Sequence, residues 1–192
     1  MNRREAIERT ALILGYAVSA PAMMGILNGC KAKPELAFKP VFLTTEQAGL
    51  VSELAEIIIP KTDTPGAKEA GVPAFIDTML KDVYKQEDKD KFIAGLTAFN
   101  EDAKKAQGDD FVSLSPEKQV EFFKGVHDAA VAGVKSGEIK ERPFVLKVKE
   151  LTLLGFFTSE PGATQVLQYE SVPGAYHGCV PLAEVGRTWA TS

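Results

Sequence analysis

Side chains suited to catalysis or metal binding are scarce in this chain. It contains two histidines, His127 and His177, and two cysteines, Cys30 and Cys179. His177 and Cys179 lie close together in sequence and could supply two metal ligands, but protein zinc sites use three or four. No cluster of further histidines or cysteines accompanies them. A turn histidine beside a packed cysteine is therefore the favoured interpretation.

Other signatures of chemistry are missing from the sequence. His127 falls on or beside the apolar face of a predicted helix, where a hydrogen-bonded histidine at the core boundary is the usual outcome. The sequence has no Gly-x-Gly-x-x-Gly motif after a strand, no phosphate loop and no Cys-x-x-Cys-His motif for covalent haem. The carboxylate pairs Glu87-Asp88 and Asp109-Asp110 are predicted to be solvated. We therefore expect no catalytic, cofactor-binding or metal-ligating residue in this chain.

The first 30 residues have the pattern of an export signal. Arg3 and Arg4 precede a weakly apolar stretch, Thr10–Leu27, that glycine, serine and proline residues dilute. Paired arginines before such a stretch favour twin-arginine export of a folded protein. General secretion and a retained membrane anchor are the alternatives, although the stretch is short for a membrane span. Export predicts a periplasmic location.

Cys30 closes this segment in a second recognisable pattern. Leu27-Asn28-Gly29-Cys30 resembles the lipobox of bacterial lipoproteins. Use of this motif would make Cys30 the acylated first residue of the mature chain and attach the protein to a membrane. A disulfide with Cys179 is the alternative, because exported proteins can keep disulfides. Residues 31–42 are then predicted to be a tether, and residues 43–192 a domain.

Length and charge limit the classes of function. The chain beyond Cys30 is long enough for one domain with its own hydrophobic core. The whole sequence carries 22 basic and 26 acidic residues, which gives a net charge of −4. Because a mildly acidic protein attracts nucleic acid poorly, we expect no nucleic-acid partner.

Apolar residues at helical spacing predict a mainly α, compact domain of about five helices. Thr44 and Gln47 can form a capping box at the start of the first helix, and Pro60 ends it. Ser115-Pro116 predicts the start of the fourth helix, which Gly133 and Gly137 are expected to loosen. The predicted apolar faces are Leu50, Leu54 and Ile57; Phe75, Ile76, Met79, Leu80 and Val83; Phe92, Leu96, Phe99 and Ala103; Val120, Phe123, Val126 and Ala130; and Phe144, Val148, Leu151 and Leu154.

The loop Pro60–Ala67 follows the first predicted helix. Asp63 can bond to its own backbone in a turn that Pro65-Gly66 continues, which would fix the start of the next helix near Val72. A rigid helix connector is the first interpretation of this loop. A partner-binding role is the second.

The C-terminal segment after Gly155 has a different composition. Glycine and proline recur every few residues and are accompanied by Phe156, Phe157, Tyr169 and Tyr176. Such a segment is too rich in turn residues for a long helix and too aromatic for a disordered tail. We predict that these four aromatic residues contact a partner, since aromatic anchors often dominate interfaces. Packing on the domain's own core is the alternative.

Three motifs carry a resemblance to a known family. The runs IIIPKTDTPGAKEAGVPAFIDTML, GFFTSEPGATQ and YESVPGAYHGCVPL occur in that order. Together they resemble the gluconate 2-dehydrogenase subunit 3 family, the small gamma subunit of a membrane-associated sugar or sugar-acid dehydrogenase. The resemblance covers roughly Leu43 to Leu182.

The resemblance implies an accessory role. Members of this family are helical, hold no cofactor of their own and pair with a large FAD-bearing subunit of the glucose-methanol-choline (GMC) oxidoreductase type. A third subunit, a cytochrome with haem c, passes electrons onward. The export signal of the small subunit would then carry the folded flavoprotein with it, and an acylated Cys30 would help to anchor the complex.

Two other classes of function are alternatives to this role. A stand-alone cell-envelope lipoprotein that acts as a binding or structural module fits Cys30, but it explains neither the arginine pair nor the three motifs. A free-standing enzyme would need a nucleophile with a base, a metal cluster or a cofactor loop, and the sequence offers none of these.

Overall fold

The computed structural model describes residues 36–172, 174–175 and 178–190. The described ranges contain no β-strand, and a single isolated bridge joins Gln168 and Trp189. The prediction of a mainly α domain is therefore confirmed. Its five long helices are α1 (Thr45–Ile58), α2 (Val72–Asp82), α3 (Gln86–Gln107), α4 (Pro116–Ser136) and α5 (Phe144–Phe157). A 3₁₀ turn (Phe111–Ser113) precedes α4, and a π-helical turn (Gly162–Val166) and the short helix α6 (Leu182–Val185) follow α5.

Helix α5 lies at the centre of the domain. It packs against each of the other four long helices, which explains why its sequence is apolar around most of its circumference. Val148, Leu151 and Phe156 are at most 2% exposed. Gly155 leaves room for α2, because a Cβ at this position would lie 2.6 Å from Cδ1 of the Phe75 ring. The helix that ends at the C-terminal segment is thus held firmly in place.

The predicted capping box begins α1. The backbone N–H of Gln47 donates to Oγ1 of Thr44 at 3.2 Å, and the backbone N–H of Thr44 donates to Oε1 of Gln47 at 3.0 Å. Two helix N–H groups that would otherwise lack a partner are satisfied in this way. Helix α1 ends at Ile58, two residues before Pro60, as the sequence predicts.

The prediction that Gly133 loosens α4 is wrong. The helix continues to Ser136 and is capped by Gly137 at a positive φ of 78°. Gly133 instead allows the chain after the helix to fold back, because a Cβ there would lie 2.5 Å from Cδ1 of Ile139. The apolar face of α4 also differs from the prediction at Val120, which is 50% exposed.

The segment before α1 is held by a buried carboxylate. Asp77 of α2 is 1% exposed and accepts the backbone N–H groups of Val41 at 2.6 Å, Phe42 at 3.1 Å and Leu43 at 2.7 Å. Leu36 also packs against the core. The segment predicted to be a tether therefore packs on the domain from Leu36 onward.

Candidate partner interface

Large apolar side chains are exposed mainly near the C-terminal end of the described chain. Thirteen such side chains are at least 37% exposed, and eight of them lie between Leu153 and Trp189. Concentrations of exposed apolar side chains are typical of interaction sites. We call these eight the C-terminal apolar set: Leu153, Leu154, Phe157, Tyr169, Val172, Val180, Leu182 and Trp189.

The last turn of α5 contributes the best-defined part of this set. Leu154 is 46% exposed and Phe157 is 39% exposed. Because residues three positions apart share a side of a helix, these two side chains lie next to each other. The α5 helix is fixed by its own buried face, so it presents them on a rigid support.

Phe156 lies on a different side of α5 and is 2% exposed. Its ring meets that of Phe157 edge to face, with 5.4 Å between the two ring centroids. This lies within the roughly 4.5–7 Å that aromatic pairs favour. Neighbouring residues of a helix point in different directions, so only one of the two rings can face a partner. The structure places Phe156 in the core, so the prediction that it contacts a partner is wrong.

Backbone contacts close the wide loop that follows the π-helical turn. The N–H of Gln168 donates to the carbonyl of Thr188 at 2.9 Å, and the N–H of Ala190 donates to the carbonyl of Gln168 at 2.7 Å. The guanidinium of Arg187 donates to the carbonyl of Gln165 at 2.6 Å. These hydrogen bonds join the start of the loop, at Gln165 and Gln168, to its end at residues 187–190. The exposed side chains of the loop lie between these two joined ends.

Of the remaining predicted site residues, the structure describes only Tyr169. Tyr169 is 56% exposed, while Tyr176, Arg3, Arg4 and Cys30 lie outside the described residues, as does His177. The prediction that Cys179 is packed is wrong, because its thiol is exposed. Cys179 forms no disulfide with any described residue.

His127 is the boundary histidine that the sequence predicts. Its ring stacks on Phe123, its Nδ1 lies 3.1 Å from the carboxylate of Asp128, and its Nε2 lies 3.0 Å from Nζ of Lys149. A lysine ammonium only donates hydrogen bonds, so Nε2 accepts and Nδ1 carries the proton that donates to Asp128. Both ring nitrogens are thus satisfied within the domain.

The described residues provide neither a metal-binding cluster nor a membrane-spanning helix. Within ranges 36–172, 174–175 and 178–190, no three side chains of histidine, cysteine, aspartate or glutamate form a group that could hold a metal ion. No helix in that part of the chain has the length and apolar character that crossing a membrane requires.

A polar cleft of about 350 Å³ lies between the loop after α1 and the π-helical turn. It brings together segments from the first two motifs that carry the family resemblance. Its walls are formed by Lys61, Thr62, Asp63, Thr64, Pro65, Glu69, Pro161 and Gln165.

The predicted role of Asp63 in this loop is wrong. Asp63 makes no hydrogen bond to its own backbone, and the turn is closed instead by the N–H of Thr62, which donates to the carbonyl of Thr64 at 3.0 Å. The carboxylate of Glu56 accepts the N–H groups of Lys61 at 3.0 Å and Lys68 at 2.9 Å. A glutamate of the preceding helix therefore fixes the loop.

The chain matches a known protein family. The model of the family described as gluconate 2-dehydrogenase subunit 3 matches residues 45–174. This range includes all five long helices, the polar cleft and the π-helical turn. Neither the curated proteins nor the solved structures contain a significant match. Because the family model covers more than half of the chain, the protein belongs to the gluconate 2-dehydrogenase subunit 3 family.

Proposed function

We propose that this chain is the non-catalytic small subunit of an exported, flavin-dependent sugar or sugar-acid dehydrogenase complex. Its family indicates a subunit of a gluconate 2-dehydrogenase complex, whose cofactors would lie in the partner subunits. In the proposed complex the chain binds a large FAD-bearing subunit of the GMC type, and a cytochrome with haem c accepts the electrons.

The observation that carries this proposal is the C-terminal apolar set. The domain already has a core that includes Phe92, Phe111, Phe156, Leu54 and Ile76, each at most 2% exposed. The exposed apolar side chains are therefore not needed to complete that core. Covering them with a partner would remove apolar surface from water and stabilise a complex.

A stand-alone cell-envelope lipoprotein is the alternative function. Such a protein would keep the exposed side chains of the C-terminal apolar set in water. A subunit of a complex would bury them, and this difference favours the proposed role.

The proposed export role is tested at the arginine pair. We expect that Arg3→Lys combined with Arg4→Lys will retain both this chain and the flavoprotein in the cytoplasm, because twin-arginine export requires the pair and carries folded cargo. Cell fractionation, immunoblotting and dehydrogenase activity of the periplasmic and membrane fractions measure the outcome. Arg9→Lys, in the same signal, is the matched control and should leave export unchanged. Continued export of both proteins by the double variant would contradict this role.

The proposed membrane attachment is tested at Cys30. Stable attachment needs more than one acyl chain, which bacterial lipoproteins supply at their N-terminal cysteine. We expect Cys30→Ala to abolish metabolic labelling with palmitate and to release the protein from membranes. Cys179→Ala is the control and should keep both properties. An unlabelled wild-type protein, or a Cys30→Ala variant that stays on the membrane, would rule out a lipid anchor at this residue.

A further inference from the structure

We propose that the polar cleft between the loop Lys61–Pro65 and the π-helical turn receives a basic side chain of the large subunit. The inference rests on the proposed function and adds the chemistry of one contact to it. The occupant would be an arginine or lysine side chain on the surface of that subunit, near the part that covers the C-terminal apolar set.

One wall of the cleft is the loop Lys61–Pro65, whose conformation is held by contacts within the domain. Gly66 is buried, and a Cβ at this position would overlap the carboxylate of Glu56 and lie 2.7 Å from the backbone nitrogen of Lys61. The N–H of Ala67 donates to the carbonyl of Ile59 at 2.9 Å. Because the loop is already ordered, a partner that binds to it loses little conformational entropy.

The charges of the cleft leave one carboxylate unpaired. Nζ of Lys61 lies 2.8 Å from the carboxylate of Glu69, and this hydrogen bond raises the pKa of Lys61. The pair is neutral as a whole. Asp63 makes no hydrogen bond or ion pair with any residue of the described ranges, so the cleft keeps a net negative charge.

The other groups of the cleft suit the same occupant. Four groups that line the cleft can accept hydrogen bonds from an occupant. They are the hydroxyls of Thr62 and Thr64, the side-chain carbonyl of Gln165 and the carboxylate of Asp63. Ammonium and guanidinium groups offer only donors, and their hydrogen bonds to carboxylates are the strong, charge-assisted kind. Pro161 provides an apolar surface for the methylene stem of a long basic side chain.

The location of the cleft links it to the proposed interface. Gln165 lines the cleft, and its backbone carbonyl accepts a hydrogen bond from the side chain of Arg187. Arg187 lies two residues before the exposed Trp189. Protein interfaces commonly combine an apolar centre with a polar rim. The cleft would supply a charged contact at such a rim, and rim charges act chiefly on the rate of association.

The test changes the charge of Asp63 and measures binding to the purified FAD-bearing large subunit. We expect Asp63→Asn to weaken the affinity of the full mature chain about threefold, and Asp63→Lys to weaken it about tenfold, mainly through slower association. The effect should shrink as salt is added. The melting temperature should not change, because Asp63 has no partner within the domain. Glu101→Lys, an exposed change on α3 outside the cleft, should alter the affinity less than twofold.

The outcomes separate the cleft from the proposed function. Wild-type protein that binds the large subunit, together with Asp63→Lys protein that binds equally well, would overturn the role of the cleft and leave the proposed function standing. An equal loss for Glu101→Lys would also overturn it, since the effect would then reflect overall charge. Failure of the wild-type protein to bind would refute the proposed function itself.

Discussion

Asp77→Ala is expected to lower the free energy of unfolding by about 4 kcal/mol. The carboxylate is 1% exposed and accepts three backbone N–H groups from the segment before α1. Its removal leaves those three donors without their partner, and the N–H group of Leu43 is buried. Hydrogen bonds to charged groups each contribute about 1.5–3 kcal/mol, and buried unsatisfied groups are costly.

Urea unfolding of the protein measures this effect. Asp77→Asn keeps the shape of the side chain but replaces one acceptor oxygen with a donor, so it should fall between the wild-type protein and the alanine variant. Asp82→Ala on the same helix is the matched control. Asp82 is exposed, and its replacement should change stability by no more than about 0.5 kcal/mol. A loss below about 1 kcal/mol for Asp77→Ala would contradict the role assigned to this carboxylate.

Leu154→Glu combined with Phe157→Ala is expected to weaken binding to the large flavin-bearing subunit at least about 100-fold, or about 2.7 kcal/mol. Both side chains are exposed on the last turn of α5. The change removes an aromatic contact and places a charge in an apolar interface. The domain should remain folded, because the buried face of α5 is untouched.

Val120→Glu is the control for this second effect. Val120 is an apolar residue of helix α4 that is 50% exposed. It does not belong to the C-terminal apolar set. A glutamate at Val120, which matches the Leu154→Glu part of the double variant, should leave the affinity within about twofold. Calorimetric titration gives the affinity, and a thermal melt of each variant checks the fold. Equal losses for both variants, or none for either, would contradict an interface at the end of α5.

The parts of the fold that depend on local patterns were predictable. The capping box of Thr44 and Gln47 involves residues three positions apart, and Pro60 acts on the helix directly before it. The apolar spacing that predicted the helices is a property of single segments. These features need no knowledge of which other element packs nearby.

Long-range contacts could not be predicted in the same way. Asp77 binds a segment 34 to 36 residues away, and nothing near it in sequence marks it as buried. The role of Gly133 could not be predicted either, because its packing against Ile139 depends on the path of the chain after α4. The loop after α1 is fixed by Glu56 in place of Asp63, because only the folded loop brings Lys61 and Lys68 to the same carboxylate.

The sequence predicts a partner contact for the segment after Gly155, but it does not distinguish the exposed residues of that segment from the buried ones. The glycine, proline and aromatic content after Gly155 indicated a surface for a partner. The pattern could not distinguish Phe156 from Phe157, because α5 has neighbours on several sides and is apolar around most of its circumference. Only the packing shows that one ring is 2% exposed and the next 39%.

Sedimentation velocity of an equimolar mixture with the FAD-bearing large subunit, followed by flavin absorbance, tests the central claim most directly. At about 1 μM of each protein, a stable interface with a nanomolar dissociation constant would be nearly saturated. We expect all of the flavin to sediment faster than it does with the large subunit alone. Flavin that sediments at the rate of the isolated large subunit would contradict the assignment of this chain as its partner.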